Sequence, residues 1–283
     1  MNIKKPFVVG TGIMGSGVGQ LCAQQGYEVT LVDISDEIIE KAKEKVKAGL
    51  NRRVEKGKIT QEDMEAILSR MNWTTDMDPA RECDFVIEAI IERLDVKKEV
   101  FKALDSICSP ETILATNTTA LSVSEIASAT SRPDKVIGMH FFNPAVIMKL
   151  VEIIRGEETS EETIAATKKF AEDLGKVPVT TAKEAPAGIV SRVLAGLLNE
   201  AAIVYADGIA SPEDIDEAMK LGAGLPMGPL ALIDMIGLDI HLAKMETLYA
   251  KLKDERYKPP EIINKMISEG KLGKKAGEGF YKY

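Results

Sequence analysis

Histidine and cysteine are scarce in this 283-residue chain, with two of the first and three of the second. Cys22, Cys83 and Cys108 are odd in number, widely spaced and without a C-x-x-C, so the sequence offers neither a disulfide framework nor a zinc site. No metal is expected, and the thiols read as reduced core residues. Basic charge is not in excess either. With 36 Lys and Arg against 44 Asp and Glu the net charge is −8, which argues against a nucleic-acid partner. Any anionic ligand then has to be held by a local basic cluster or by backbone N–H groups. No apolar run approaches membrane-spanning length, and Met1-Asn2-Ile3-Lys4-Lys5-Pro6 enters the first apolar stretch without a signal-like region. A soluble, cytoplasmic protein with no membrane partner is expected. The 45% hydrophobic content is that of a packed globular chain long enough for one large domain or two ordinary ones.

What is present begins with Phe7-Val8-Val9-Gly10-Thr11-Gly12-Ile13-Met14-Gly15. An apolar run ending in G-x-G-x-x-G and passing into helix-compatible residues reads as strand, tight turn and helix, with the helix N-terminus facing a pyrophosphate. Alone, the same spacing also suits an ordinary turn that needs positive φ. Glu28-Val29-Thr30-Leu31-Val32-Asp33 supplies the context: a second strand ending in an acid about 20 residues on, where a carboxylate binds a ribose 2′-hydroxyl. Asp33 would repel a 2′-phosphate, and Ile34-Ser35-Asp36 brings no arginine to rescue it. The cofactor is therefore read as NAD(H).

Ser35 to Leu50 has helical spacing, and Thr60-Gln61-Glu62-Asp63 looks like a second helix start. The pair makes a helical-hairpin excursion whose turn is Asn51-Arg52-Arg53-Val54-Glu55-Lys56-Gly57-Lys58. A solvated hairpin and a basic clamp for a phosphorylated tail are both open readings of Arg52 and Lys56. Asp84 to Ile90 is a near-continuous apolar run, as in a strand covered on both faces, with Ala89 at its carboxyl end. Glu92 and Lys97, just beyond, are candidate cofactor contacts or a surface pair on the next helix. Thr112 to Thr119 ends in the polar residues Thr116-Asn117-Thr118-Thr119, an ending that suits a ligand or a turn. Val136 to Pro144 repeats this with His140 and Asn143, and Lys149 to Ile154 places Glu152 among apolar neighbours.

A helix over 161–174 and a strand over 177–180 close a first domain, 1–186. Residues 187–283 then read as all helical, over 189–205, 212–219, 229–236, 238–252 and 259–269, punctuated by prolines near the helix starts. The expected fold is α/β: a Rossmann-type dinucleotide-binding domain with a mostly parallel sheet and the hairpin excursion, followed by an all-α domain. His140 suits proton transfer from an alcohol oxidised by NAD, with Glu152 on an adjacent strand as its orienter. A buried structural histidine is the other reading. His241 reads as a helix residue at an interface or surface, and Trp73 as a packing residue.

The glycine loop, Ala115-Thr116-Asn117-Thr118-Thr119, His140-Phe141-Phe142-Asn143-Pro144 with Met148-Lys149-Leu150-Val151-Glu152, Met227-Gly228-Pro229 and Gly277-Glu278-Gly279-Phe280-Tyr281 together resemble the 3-hydroxyacyl-CoA dehydrogenase family. The similarity runs over the whole chain and looks closest to the bacterial 3-hydroxybutyryl-CoA branch of butyrate metabolism. It implies interconversion of (S)-3-hydroxyacyl-CoA and 3-ketoacyl-CoA with NAD(H), in a homodimer formed through the helical domain. By position His140 matches the catalytic base, Glu152 its partner and Thr119 the family's serine. Asn117, Asn143, Glu92, Lys97 and Lys275 match cofactor contacts, beside Gly10, Gly12, Ile13, Met14, Gly15, Asp33 and Ala89. Arg52 and Lys56 match the basic residues on the CoA tail, with Asn117 and Thr119 also facing substrate. Thr119 adds a methyl to the family's hydroxyl, and Ser191 stands where the family carries an asparagine. These departures leave two other readings: a relative acting on a different hydroxyacid or a longer acyl-CoA, and an NAD-binding scaffold with little or no chemistry.

Overall fold

The computed structural model describes residues 3–185 and 187–283 and falls into two compact units, Met1–Gly188 and Ile189–Tyr283. In the first unit the elements run β1 Pro6–Val9, α1 Ile13–Gln24, β2 Val29–Val32, α2 Asp36–Glu55, α3 Gln61–Ser69, β3 Met71–Thr74, β4 Phe85–Glu88, α4 Leu94–Ile107, β5 Ile113–Thr116, α5 Val123–Ala127, β6 Val136–Phe141, β7 Leu150–Arg155, α6 Glu161–Asp173 and β8 Val177–Thr180. One sheet holds them all, in the order β3-β2-β1-β4-β5-β6-β7-β8. Every pairing is parallel except β6 with β7. The reversal of order at β1 and β4 is where an open α/β sheet forms its ligand crevice, at the carboxyl ends of the strands.

Both faces of the sheet are covered, which is why its central strands are apolar throughout. Val8, Leu31, Phe85, Ile87 and Ala115 enter one core, while Phe7, Val9, Val32, Val86 and Leu114 enter the other with Phe101 and Leu104 of α4. The edge strand β3 carries no such signal. Met-Asn-Trp-Thr is half polar and was not legible as a strand, yet Trp73 stands in register with Leu31 and packs against the first core. Helix α2 also runs further than its apolar spacing suggests, to Glu55, so Arg52 lies in its last turn and not in the connecting loop. The loop is closed by a capping box in which Thr60 and Asp63 exchange side-chain-to-backbone hydrogen bonds of 3.1 and 2.9 Å.

The second unit contains α7 Val190–Ala206, α8 Pro212–Ala223, α9 Pro229–Ile236, α10 Leu238–Leu252 and α11 Glu261–Ser268, with a 3₁₀ turn at Lys274–Ala276. Its organising groups are two buried carboxylates. Asp216 accepts from the Leu230 and Ala231 amides at the start of α9 and from the Tyr281 hydroxyl, at 2.8 to 2.9 Å. Asp234 accepts from the Phe280 and Tyr281 amides at 2.9 Å each, which latches the C-terminal segment. Gly228 and Gly279 lie so close to these acids that an added Cβ would come within 2.1 and 2.0 Å of them. The Met-Gly-Pro and Gly-Glu-Gly-Phe-Tyr motifs are thus seats for carboxylates. Among the described residues, no helix is long and apolar enough to cross a membrane.

Asp234→Ala leaves two amides without their acceptor and is expected to lower stability by about 3 kcal/mol, read as an earlier urea midpoint in the helical circular-dichroism signal. His241 gives a pH-dependent counterpart. It is 2% exposed and so not a surface residue, and burial together with the Lys244 charge holds its imidazole down to about 4 from 6.5. The unfolded chain therefore binds this proton at a pH where the folded one does not. The contribution is complete above pH 6.5 and is lost as pH falls toward 4, by up to about 3 kcal/mol. Replacing His241 by Leu should flatten the fall of the urea midpoint across that window.

Candidate active site

The glycine loop joins β1 to α1 and is shaped by close approaches. Gly10 has φ +95°, and a Cβ on it would lie 2.7 Å from the Ala89 carbonyl oxygen; one on Gly15 would lie 1.8 Å from the Gly10 oxygen. A Cβ on Gly12 meets nothing within 4 Å, and no side chain caps α1. The loop therefore presents open space and a helix N-terminus, which fits a pyrophosphate. Ile13 is 71% exposed beside it, while Met14 turns into the core. Asp33, at the end of β2, accepts from Thr11 N at 2.6 Å and Thr11 Oγ1 at 2.8 Å, so the acid is held against the loop.

A polar chain crosses the carboxyl ends of β4, β5 and β6. Buried Glu88 accepts from Lys97 Nζ at 2.5 Å, Thr116 Oγ1 at 2.7 Å and the Ile90 amide at 2.8 Å. Lys97 also lies 3.5 Å from Glu92. One Glu92 oxygen in turn accepts from Thr118 Oγ1 at 2.5 Å, Thr119 N at 3.0 Å and Ala120 N at 3.2 Å. Burial by itself raises the Glu92 carboxyl, but the Thr118 hydroxyl, the Lys97 charge and the two amides outweigh it and hold the group below its ordinary range. Lys97 is 0% exposed, so it is not half of a surface pair; its ammonium lies between Glu88 and Glu92.

The loop that Glu92 holds presents Thr119 to His140. Thr119 Oγ1 lies 3.1 Å from His140 Nε2, and His140 Nδ1 lies 3.1 Å from Glu152 Oε2. The second contact follows from strand register, since His140 and Glu152 are direct partners across the antiparallel β6–β7 pair. A carboxylate only accepts, so the imidazole carries its proton on Nδ1 and turns Nε2 outward as an acceptor. Glu152 is fully buried, His140 is 6% exposed, and the Phe142 ring lies 4.5 Å from the imidazole. Asn117 ties two strand ends together, donating to Glu88 O at 2.7 Å and accepting from Phe141 N at 2.8 Å.

Asn143 is exposed on the loop after β6, next to a cis bond to Pro144. That loop is anchored by Lys176, which donates to Ala145 O at 2.6 Å and Met148 O at 2.9 Å and which the sequence did not single out. Arg52 and Lys56 are exposed four residues apart, in the last turn of α2 and at its C-cap, and so share a face. Ser191 and Lys275 belong to the second unit. Ser191 is buried in the first turn of α7, and Lys275 pairs with Asp239 at 2.6 Å. Glu88 was missed although its signal was present, an acid inside an apolar strand.

Residues 6–185 match the family model of the 3-hydroxyacyl-CoA dehydrogenase NAD binding domain, and residues 189–283 that of the C-terminal domain. The chain is 46% identical to a probable 3-hydroxybutyryl-CoA dehydrogenase of Bacillus subtilis, over all of this chain and 98% of that one. It is 47% identical to a 3-hydroxybutyryl-CoA dehydrogenase of Clostridioides difficile, over 98% of each. The crystal structure of (S)-3-hydroxybutyryl-CoA dehydrogenase from Ralstonia eutropha superposes with a TM-score of 0.96 at 45% identity, covering 100% of this chain and 99% of that one. A glycine loop built for a dinucleotide, a histidine held between a carboxylate and a hydroxyl, and full-length similarity place the chain in the 3-hydroxyacyl-CoA dehydrogenase family of NAD-dependent oxidoreductases.

Proposed function

We propose that this enzyme interconverts (S)-3-hydroxybutyryl-CoA and acetoacetyl-CoA, with His140 as general base in oxidation and general acid in reduction. The observation that carries the reading is the line from Glu152 through His140 to Thr119, with both contacts at 3.1 Å. In oxidation the C3 hydroxyl gives its proton to Nε2, and Glu152 stabilises the imidazolium through Nδ1. Thr119 donates its hydroxyl to the same oxygen. Bound NAD would supply the acceptor for the hydride leaving C3. Gly10, Gly12, Gly15 and the start of α1 would hold its pyrophosphate, with Asp33 on the adenosine ribose.

Arg52 and Lys56 are read as the clamp on the CoA tail, since two exposed cations on one helical face suit a phosphorylated ligand in a chain of net charge −8. Asn117, Asn143, Glu92, Ser191 and Lys275 keep the roles that the family correspondence gives them, whereas Lys97 acts through Glu92. We also read the enzyme as a cytoplasmic homodimer. Its buried thiols suit a reducing compartment, and an apolar groove of about 500 Å³ between α7 and α8, lined in part by exposed Ile209, suits a second copy.

NADH oxidation with acetoacetyl-CoA tests the proposal, with NADPH and CoA-free acetoacetate as controls. Turnover is expected only with NADH and the thioester, and His140→Ala should lower it by about 10²-fold or more. Near-normal turnover by that variant would remove His140 from its role. The double change Arg52→Ala with Lys56→Ala should raise KM for acetoacetyl-CoA about tenfold at unchanged kcat; an unchanged KM would make the hairpin an ordinary solvated surface.

A further inference from the structure

We propose that Gly188 is a positioning residue for the catalytic pair, its bare Cα leaving the space in which Glu152 can reach His140. This rests on the proton-transfer reading of that pair. A Cβ built on Gly188 lies 2.4 Å from Glu152 Oε2, 3.3 Å from its carboxyl carbon and 3.7 Å from Oε1. Oε2 is the oxygen 3.1 Å from His140 Nδ1. One added methyl would therefore strike the very atom that orients the imidazole.

The surroundings decide which side yields. Gly188 closes a short strap that follows β8 and lies between the two family-matched segments. The strap is tied down at Glu184, whose carboxylate accepts from the Val123 and Ser124 amides and the Ser124 hydroxyl at the start of α5. It also turns tightly, with Ala187 at φ +64° and Gly188 at φ +57° and a hydrogen bond from Gly188 N to Ala185 O of 3.3 Å. The neighbour that can move is the far end of the Glu152 side chain. Relief of this contact comes by turning the carboxylate away from His140, which damages the proton relay; the φ of +57° strains any side chain at 188 as well, by an amount that does not depend on Glu152.

The test is a cycle of Gly188→Ala and Glu152→Ala in the acetoacetyl-CoA assay, with NADH affinity measured by fluorescence. Gly188→Ala alone is expected to lower kcat at least about tenfold, with KM and NADH affinity within about twofold of the parent. Added to Glu152→Ala, it should lower kcat no further than the backbone strain does, within about twofold, because the side chain it displaces is already gone. Penalties that multiply, or a Gly188→Ala enzyme with parental kcat, would overturn the proposal. A Glu152→Ala enzyme with full turnover would overturn it together with the role of Glu152, while His140→Ala separately reports on the wider reading. If Gly188→Ala melts early, Gly188→Ala in a Glu152→Ala background decides: strain at φ +57° is common to both backgrounds, so a smaller melting loss than in the parent supports the contact, and an equal loss refutes it.

Discussion

The antiparallel pairing of β6 with β7 is the constraint on which the candidate site depends. In an otherwise parallel sheet, this one reversal sets residues of two strands directly opposite each other, and the register makes His140 and Glu152 partners. A shift by one residue would send one side chain to the other face of the sheet. The register is held by burial, since Val151 and Ile153 on either side of Glu152 are fully enclosed, as is Met139 before His140. Packing of the apolar neighbours thus sets the geometry of the polar pair.

A second regularity is the use made of acids. Glu92 accepts from the adjacent amides of Thr119 and Ala120, Glu184 from those of Val123 and Ser124, Asp216 from those of Leu230 and Ala231, and Asp234 from those of Phe280 and Tyr281. A carboxylate has two acceptor oxygens and no donor, so it matches two consecutive N–H groups of a turn or helix start. The acid lies between 14 and 61 residues along the chain from the amides it satisfies. Part of the surplus of acidic over basic residues is therefore structural, organising the loop of Thr119, the strap before Gly188 and the C-terminal segment.

The Rossmann-type sheet, its glycine loop and the change to helices were legible because they rest on local pattern. An apolar run between turn residues, glycines at fixed spacing and prolines at helix starts each act within a few residues of chain. His140 and Glu152 were legible in the same way, as polar residues at or within buried strands. The edge strand β3 was not, because an edge needs only one covered face and Met-Asn-Trp-Thr has no apolar run. Nor was the length of α2, whose last turn is built from charged residues, nor the burial of Lys97, whose spacing from Glu92 also suits a surface pair.

The sequence by itself determined the α/β class, the dinucleotide loop, the acid at Asp33 and the histidine at a strand end, because residue type and short-range spacing encode them. Tertiary structure alone decided what these groups touch. It enclosed Lys97 between Glu88 and Glu92, anchored Glu184 on α5 and brought the Cα of Gly188 against the one oxygen of Glu152 that faces His140. The physical reason is that such contacts depend on how a strand end, a helix and a loop pack in space, even for Lys97, which lies 9 residues from Glu88, and that packing is invisible to local pattern.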